Sequence, residues 1–313
     1  VDDTDYRHWA SATIAAAVDE RVGELFDGWT PFLRNFLCKW PGGSSELYLH
    51  RDWMFVDERS GAETFVLWIA LQDITGHNGQ FRALRSSHRL DRDLRGSALT
   101  APWLRHQEAI ERRLVALPVE AGHAIVFNNA LVHSSYPNNT DDPRVAVAVG
   151  MRRRDTPLTH FRRVDGGTAQ RFDVGEEFFL TYTPQGLLAA PPDLPVAEEI
   201  PVHETDRTED ELVHGLGTSR VSAVDEARSR MLAPLFAGGA SLRRLRHRAR
   251  SELVPRATES TRVWTRRRTA RARELAASGT RWVGEHRHDL ERGVRERARP
   301  LVDVWDAAGR DVP

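Results

Sequence analysis

Cysteine is almost absent: Cys38 is the only one among 313 residues, so no disulfide can close within the chain. Lysine is as scarce, with Lys39 alone among 44 basic residues. No apolar run reaches the roughly 18 residues a membrane-spanning helix needs, and no basic-then-apolar stretch starts at Val1, so neither a membrane span nor an export signal is expected. A soluble, cytoplasmic protein is the expectation, with room for residues before Val1 because no initiator Met stands there. An excess of charge is missing too. The formal net charge of −1 argues against nucleic-acid binding by the protein as a whole.

What is present divides the chain. Its length exceeds one ordinary compact core, so a large domain with an appendage is expected. Residues 5 to 36 read as helical, because Ala10, Ile14, Val18, Val22 and Phe26 recur near a 3.6-residue period. From Leu33 to about Arg163 short β-rich runs alternate with turns, broken by a polar, helical insert around Trp103 to Leu114. Pro184, Pro191, Pro192, Pro195 and Pro201 make residues 176 to 204 read as a loop or linker. The expected division is therefore 1–205 and an arginine-rich helical extension, 206–313. From residue 241 onward 19 Arg face 10 acidic residues, a net +9 that leaves −10 for the rest. Leu242, Leu245, Ala249 and Leu253, then Leu290, Val294, Ala298, Leu301 and Trp305, recur at helical spacing. Arginine-rich amphipathic helices can bind RNA, anionic lipid or an acidic carrier, although a solvated face against an acidic core is the commoner arrangement.

The chemistry gathers at His50 and Asp52 in LYLHRDWMF and at His133 in IVFNNALVHSSYP. Residues i and i+2 of a strand share a face, so an extended His-x-Asp aims both side chains one way. Alone the tripeptide means little in a chain with 13 His and 45 acidic residues. With a distant histidine it completes two imidazoles and a carboxylate, the facial ligand set of non-haem iron(II) oxygenases. A turn at Asn138 to Pro143 separates the His133 strand from an alternating run beginning at Arg144, which reads as two antiparallel strands. Arg144 can offer its planar fork to the far carboxylate of a 2-oxo diacid. Short strands carrying an inward-facing triad suit a mainly β protein with helices, built on a double-stranded β-helix, or cupin-like jelly roll, with the metal at its mouth.

The stretches LYLHRDW, FVLWIALQDI, NGQFRALRSSHR and GHAIVFNNALVHSSYPNNTDDPRVAVAVGMR resemble the phytanoyl-CoA dioxygenase family of iron(II)- and 2-oxoglutarate-dependent oxygenases. The likeness covers about residues 35 to 155. It implies His50, Asp52 and His133 as iron ligands and catalytic centre, with Arg144 as the holder of the distal carboxylate of 2-oxoglutarate. Ser135 matches a hydroxyl that assists that carboxylate, Trp68 an aromatic bordering the cosubstrate, and Lys39 resembles a basic residue reaching a cosubstrate carboxylate, although a solvated lysine is an equal reading.

Asn78-Gly79 reads as a structural turn, and His88 is left unassigned. Trp53 and Phe55 alternate with Asp52 on an extended segment and so are expected in the core, away from the metal carboxylate. His77, His106, His123 and His160 lack partners at ligand spacing.

The expected activity is that of an Fe(II)/2-oxoglutarate-dependent dioxygenase using O2 to hydroxylate an unactivated C–H bond of a small organic substrate, free or linked to CoA or a carrier. Halogenation is disfavoured because the halogenating relatives lack the carboxylate that Asp52 supplies. An arginine bias this strong suggests a high-GC bacterial coding sequence, and from it a secondary-metabolite tailoring role. The alternatives are a cupin-like metal protein that does not turn over 2-oxoglutarate, which Arg144 argues against, and an RNA- or carrier-associated module working through the basic C-terminal region.

Overall fold

The computed structural model describes residues 3–42, 45–90, 93–99, 101–203, 205, 208–211 and 247. Helix α1 spans Thr4–Leu25, and its N-cap Asp3 accepts a hydrogen bond from the Tyr6 amide at 3.0 Å. Ala10, Ile14, Val18 and Val22 form its buried stripe. The helix ends well short of residue 36, because Gly28 takes a left-handed φ of 75° and turns the chain into strand β1, Trp29–Lys39. The helical expectation for residues 29 to 36 is therefore corrected. β1 is an edge strand, which lets Pro31 sit in it beside a register shift between Pro31 and Leu33.

Seven more strands follow: β2 Leu47–His50, β3 Thr64–Ala70, β4 Phe81–Ala83, β5 Val115–Leu117, β6 Ala124–Asn128, β7 His133–Ser135 and β8 Arg144–Arg153. They form two antiparallel four-stranded sheets with orders β1-β8-β3-β6 and β2-β7-β4-β5. Strands that alternate between two sheets in this order make an eight-stranded jelly roll, the double-stranded β-helix. This connectivity overturns the pairing expected around the Asn138 turn, because β7 lies in one sheet and β8 in the other. The polar insert is there as expected, as a 3-10 turn at Pro102–His106 running into helix α2, Gln107–Glu111.

Strand β8 explains how the fold holds both a core and a cavity. Val145, Val147, Val149 and Met151 pack with Ile14, Val18 and Val22 of α1 on the outer face of the first sheet. The alternate residues Ala146, Ala148 and Gly150 face inward and are small, which leaves room between the sheets.

The segment expected to be a linker is instead ordered structure. β9 (Leu158–Arg163) and β10 (Thr168–Val174) pair antiparallel, and after helices α3 (Glu176–Thr181) and α4 (Pro184–Ala189) strand β11 (Glu198–Pro201) adds to β10. Its prolines start α4, fill the loop after it and close β11, rather than unstructuring the chain. The arginine-rich extension lies, apart from isolated positions, outside the described residues. Among those described, no helix is long and apolar enough to cross a membrane.

Candidate metal centre and its cavity

His50 and His133 are register partners across β2 and β7, which brings their ring centroids to 4.2 Å. Asp52 arrives differently from the sequence expectation. β2 ends at His50, and Asp52 sits in an irregular segment anchored by its amide donating to the Asn129 carbonyl at 3.0 Å. Its carboxylate nonetheless reaches the pair, 3.8 Å from His50 Nε2. One donor atom from each of His50, Asp52 and His133 lies within 4.8 Å of the others.

Both imidazoles are set for ligation. Nδ1 of His50 meets the Tyr48 carbonyl at 2.7 Å and Nδ1 of His133 the Leu131 carbonyl at 2.9 Å. A carbonyl only accepts, so each Nδ1 carries the proton and each Nε2 keeps its lone pair. Burial pushes the His133 pKa down to about 4, with His50 lowering it further and Asp52 opposing, so the neutral ligand form holds at neutral pH. Phe81 stacks on His133 at 5.2 Å and Phe127 lies at 4.9 Å, walling this side with apolar surface.

The triad opens into a cavity of about 550 Å3 lined also by Lys39, Trp68, Ser135 and Arg144, so the residues read in the sequence as metal or cosubstrate contacts share one space. Arg144 is buried; it donates from Nε and Nη2 to the Asn78 and Gly79 carbonyls at 3.4 Å, lies 5.4 Å over the Trp68 ring, and has no partner for Nη1 among the described residues. Burial lowers its pKa to about 10. Lys39 is its cross-strand partner and is also buried, with its ammonium on the Ser45 carbonyl. Burial first, and the Arg144 charge second, lower the Lys39 pKa to about 8. Two buried cations thus lie side by side, and one of them keeps an N–H without a partner among the described residues.

The Asn78-Gly79 turn thus has a second task, since its carbonyls steady Arg144. Gly79 has φ 90°, and a Cβ there would collide with Lys39. Ser87, in the resembling segment Asn78–Arg89, is fully buried and accepts from the Val132 amide at 2.8 Å, fixing the strand that carries His133. His88 does not line the cavity, and its pKa is lowered by burial. His160 is a satisfied core histidine, 2.9 Å from Ser97 Oγ.

One expectation fails here. Phe55 lines the cavity with Asp52, because residues 51 to 55 are not a strand and the alternation argument does not apply. Trp53 packs beside His160 at 5.3 Å, away from the cavity, as expected. Sequence reasoning also missed Asn129, whose Nδ2 donates to Asp52 Oδ2 at 3.4 Å, and the buried pair Arg95 and Glu58. Arg95 Nε donates to the Asp52 carbonyl at 2.9 Å, and its Nη2 lies 2.5 Å from Glu58. The Asn128-Asn129 doublet was a visible cue; Arg95 is one arginine among many and gave none.

Residues 1–146 match the family described as phytanoyl-CoA dioxygenase (PhyH). That match covers slightly less than half of the chain. The match takes in the triad and Arg144, while β9 to β11 lie beyond it. The "phytanoyl-CoA dioxygenase domain-containing protein 1" of Danio rerio is 26% identical over 116 residues, 35% of this chain and 40% of that protein. The chain thus spans well under half the length of this curated relative. Among solved structures, the epimerase SnoN in complex with Fe3+, alpha ketoglutarate and nogalamycin RO is 19% identical, covering 49% of this chain and 63% of its own, with a TM-score of 0.40. The alpha ketoglutarate dependent carbocyclase SnoK is 24% identical, covering 42% and 52%, with a TM-score of 0.36. The jelly-roll assignment rests on the chain's own strand order.

Proposed function

We propose that the protein is an Fe(II)/2-oxoglutarate-dependent oxygenase that hydroxylates an unactivated C–H bond of a small organic molecule. The observation that carries the reading is the meeting, in one cavity, of a His-Asp-His triad with free Nε2 atoms and a buried arginine with an unpaired N–H. The donor set of two neutral imidazoles and one carboxylate fits ferrous iron with positions left for a bidentate keto acid. Bound iron, 2-oxoglutarate and O2 together supply an oxidant able to break such a C–H bond.

The chain's own residues bind, orient and exclude water. His50, Asp52 and His133 would hold the metal. Arg144, assisted by Ser135 and Lys39, would take the far carboxylate of the keto acid, with Trp68 along its flank. Phe81 and Phe127 keep water from the His133 side. Hydroxylation is the outcome proposed because it asks for no protein group beyond these. The solved neighbours named an epimerase and a carbocyclase mark other outcomes with the same cosubstrate. A place in secondary metabolism rests on the arginine bias alone.

The test is succinate release from 2-oxoglutarate by the full chain with Fe(II) and O2. Release that Asp52→Ala abolishes, and that Arg144→Ala shows only at high 2-oxoglutarate, supports the reading. Metal binding with no 2-oxoglutarate binding or turnover returns the protein to the cupin-like alternative.

A further inference from the structure

Asp52 lies beyond the end of β2, and its main chain is held from both sides. Its amide donates to the Asn129 carbonyl at 3.0 Å and its carbonyl accepts from Arg95 Nε at 2.9 Å. What these bonds leave free is rotation of the carboxylate about its side-chain bonds. Among the described residues one hydrogen bond restrains that rotation, from Asn129 Nδ2 to Oδ2 at 3.4 Å, while Oδ1 lies 3.8 Å from His50 Nε2. The two carboxylate oxygens therefore have different neighbours: a donor beside one, a metal-facing imidazole nitrogen beside the other.

The Asn129 side chain has no second task among the described residues. It is fully buried, so bulk water cannot stand in for its amide. A carboxylate only accepts hydrogen bonds, so the end of the amide that meets Asp52 is the donor, and Oδ1 at the other end is buried without a partner among the described residues. An orphaned acceptor costs stability that an apolar side chain of the same branching would spare the fold. Asn128 next to it is different, because its Oδ1 accepts from the Ala130 amide at 2.8 Å and shapes the turn after β6. The fold asks for the first asparagine of the doublet; only Asp52 asks for the second.

A carboxylate ligand matters by how many oxygens it gives. An octahedral ion held by two imidazoles and one carboxylate oxygen keeps positions for a chelating keto acid and for O2, and a second carboxylate oxygen would consume one of them. We propose that Asn129 is a positioning residue whose amide engages Asp52 Oδ2, so that Asp52 offers the metal Oδ1 alone and the cosubstrate positions stay open. This rests on the oxygenase reading.

The test compares the full chain with Asn129→Leu and Asn129→Ala, which both lack the donor but differ in volume; each keeps the main-chain bond to Asp52. Three quantities are measured without O2: Mn(II) affinity from the electron paramagnetic resonance of the free ion, 2-oxoglutarate affinity of the Mn(II)-loaded protein by calorimetry, and the visible charge-transfer absorption of a keto acid chelated to Fe(II). The expected result is a split, with metal affinity retained, 2-oxoglutarate affinity down about tenfold or more in both variants, and the absorption weakened. The urea midpoint of Asn129→Leu should be no lower than that of the wild type. Should that variant fail to fold, Asn129→Ala, which adds no atoms, decides by the same split. Unchanged 2-oxoglutarate affinity would overturn the proposal, as would metal and cosubstrate affinities falling together with the urea midpoint, which is the mark of a merely structural residue. A wild type that binds metal but no 2-oxoglutarate would overturn the oxygenase reading, and this inference with it.

Discussion

His50 and His133 each spend one ring proton on a main-chain carbonyl two residues back, and this fixes what the other nitrogen can do. Removing the carboxylate should therefore disarm the centre without unfolding it: Asp52→Ala is expected to lose turnover and most metal affinity, with an unchanged unfolding midpoint in denaturant. Arg144→Ala should raise the KM for 2-oxoglutarate on the order of tenfold to a hundredfold, the worth of a charge-assisted pair in a buried site. Lys39 adds a pH limb. Its pKa of about 8 lies below the ordinary 10.5, so the ammonium is lost as pH rises through about 8. Affinity for 2-oxoglutarate should fall from about pH 7 to about pH 9.5, and Lys39→Met should flatten that limb. A flat profile in the wild type would place Lys39 outside the cosubstrate contacts.

The element that holds Asp52 is the irregular segment 51–60, and it is strapped from several sides. Met54 packs with Phe161 and Ile200, the Phe55 carbonyl accepts from the Thr159 amide at 2.8 Å, and Arg59 reaches Glu198 at 2.7 Å. Arg95 and Glu58 form a buried ion pair beneath the same segment. Breaking that pair strands a buried charge, so Glu58→Ala should cost about 3–5 kcal/mol in urea unfolding. Metal affinity should fall with it, because Arg95 also holds the Asp52 carbonyl. A Glu58→Leu, Arg95→Met double variant should regain much of the stability but not the affinity. The sequence showed the triad, Arg144 and the alternating strands because ligand type, spacing and period are local signals. It did not show this strap, because β9 to β11 touch segment 51–60 only through contacts a hundred or more residues apart, and prolines at their flanks imitate a linker. The overlong α1 has a simpler cause: the helical period ends at Phe26, and Gly28 two residues later, with its left-handed φ, turns the chain into β1. Phe55 was misplaced because alternation holds only in a strand, and residues 51 to 55 are none.

Across the whole molecule, two neighbouring buried cations with no carboxylate between them tax the fold. Lys39 binds its proton less well in the folded state than in the unfolded one, so its contribution destabilises below about pH 8, and stability rises as pH climbs from there toward 10.5. A bound dianion removes that penalty where it is largest. Adding 2-oxoglutarate and Mn(II) at about a hundred times their dissociation constants should each stabilise by about 2.7 kcal/mol, since neither is expected to bind the unfolded chain. For a folded region of roughly 200 residues each kcal/mol is worth about 2–4 °C, so the combined rise in Tm should exceed about 10 °C. The 2-oxoglutarate part should be larger at pH 7 than at pH 9.5 and, at the same concentration, should shrink to about 0.4–1.4 kcal/mol in Arg144→Ala, while the metal part should vanish in Asp52→Ala. A chain lacking residues 206–313 should give the same two increments, because every residue of the triad, the cation pair and the Asp52 strap lies before that boundary. Differential scanning calorimetry of full-length and shortened chains, with and without each ligand, measures all of this, and increments lost on shortening would tie the basic extension to the site.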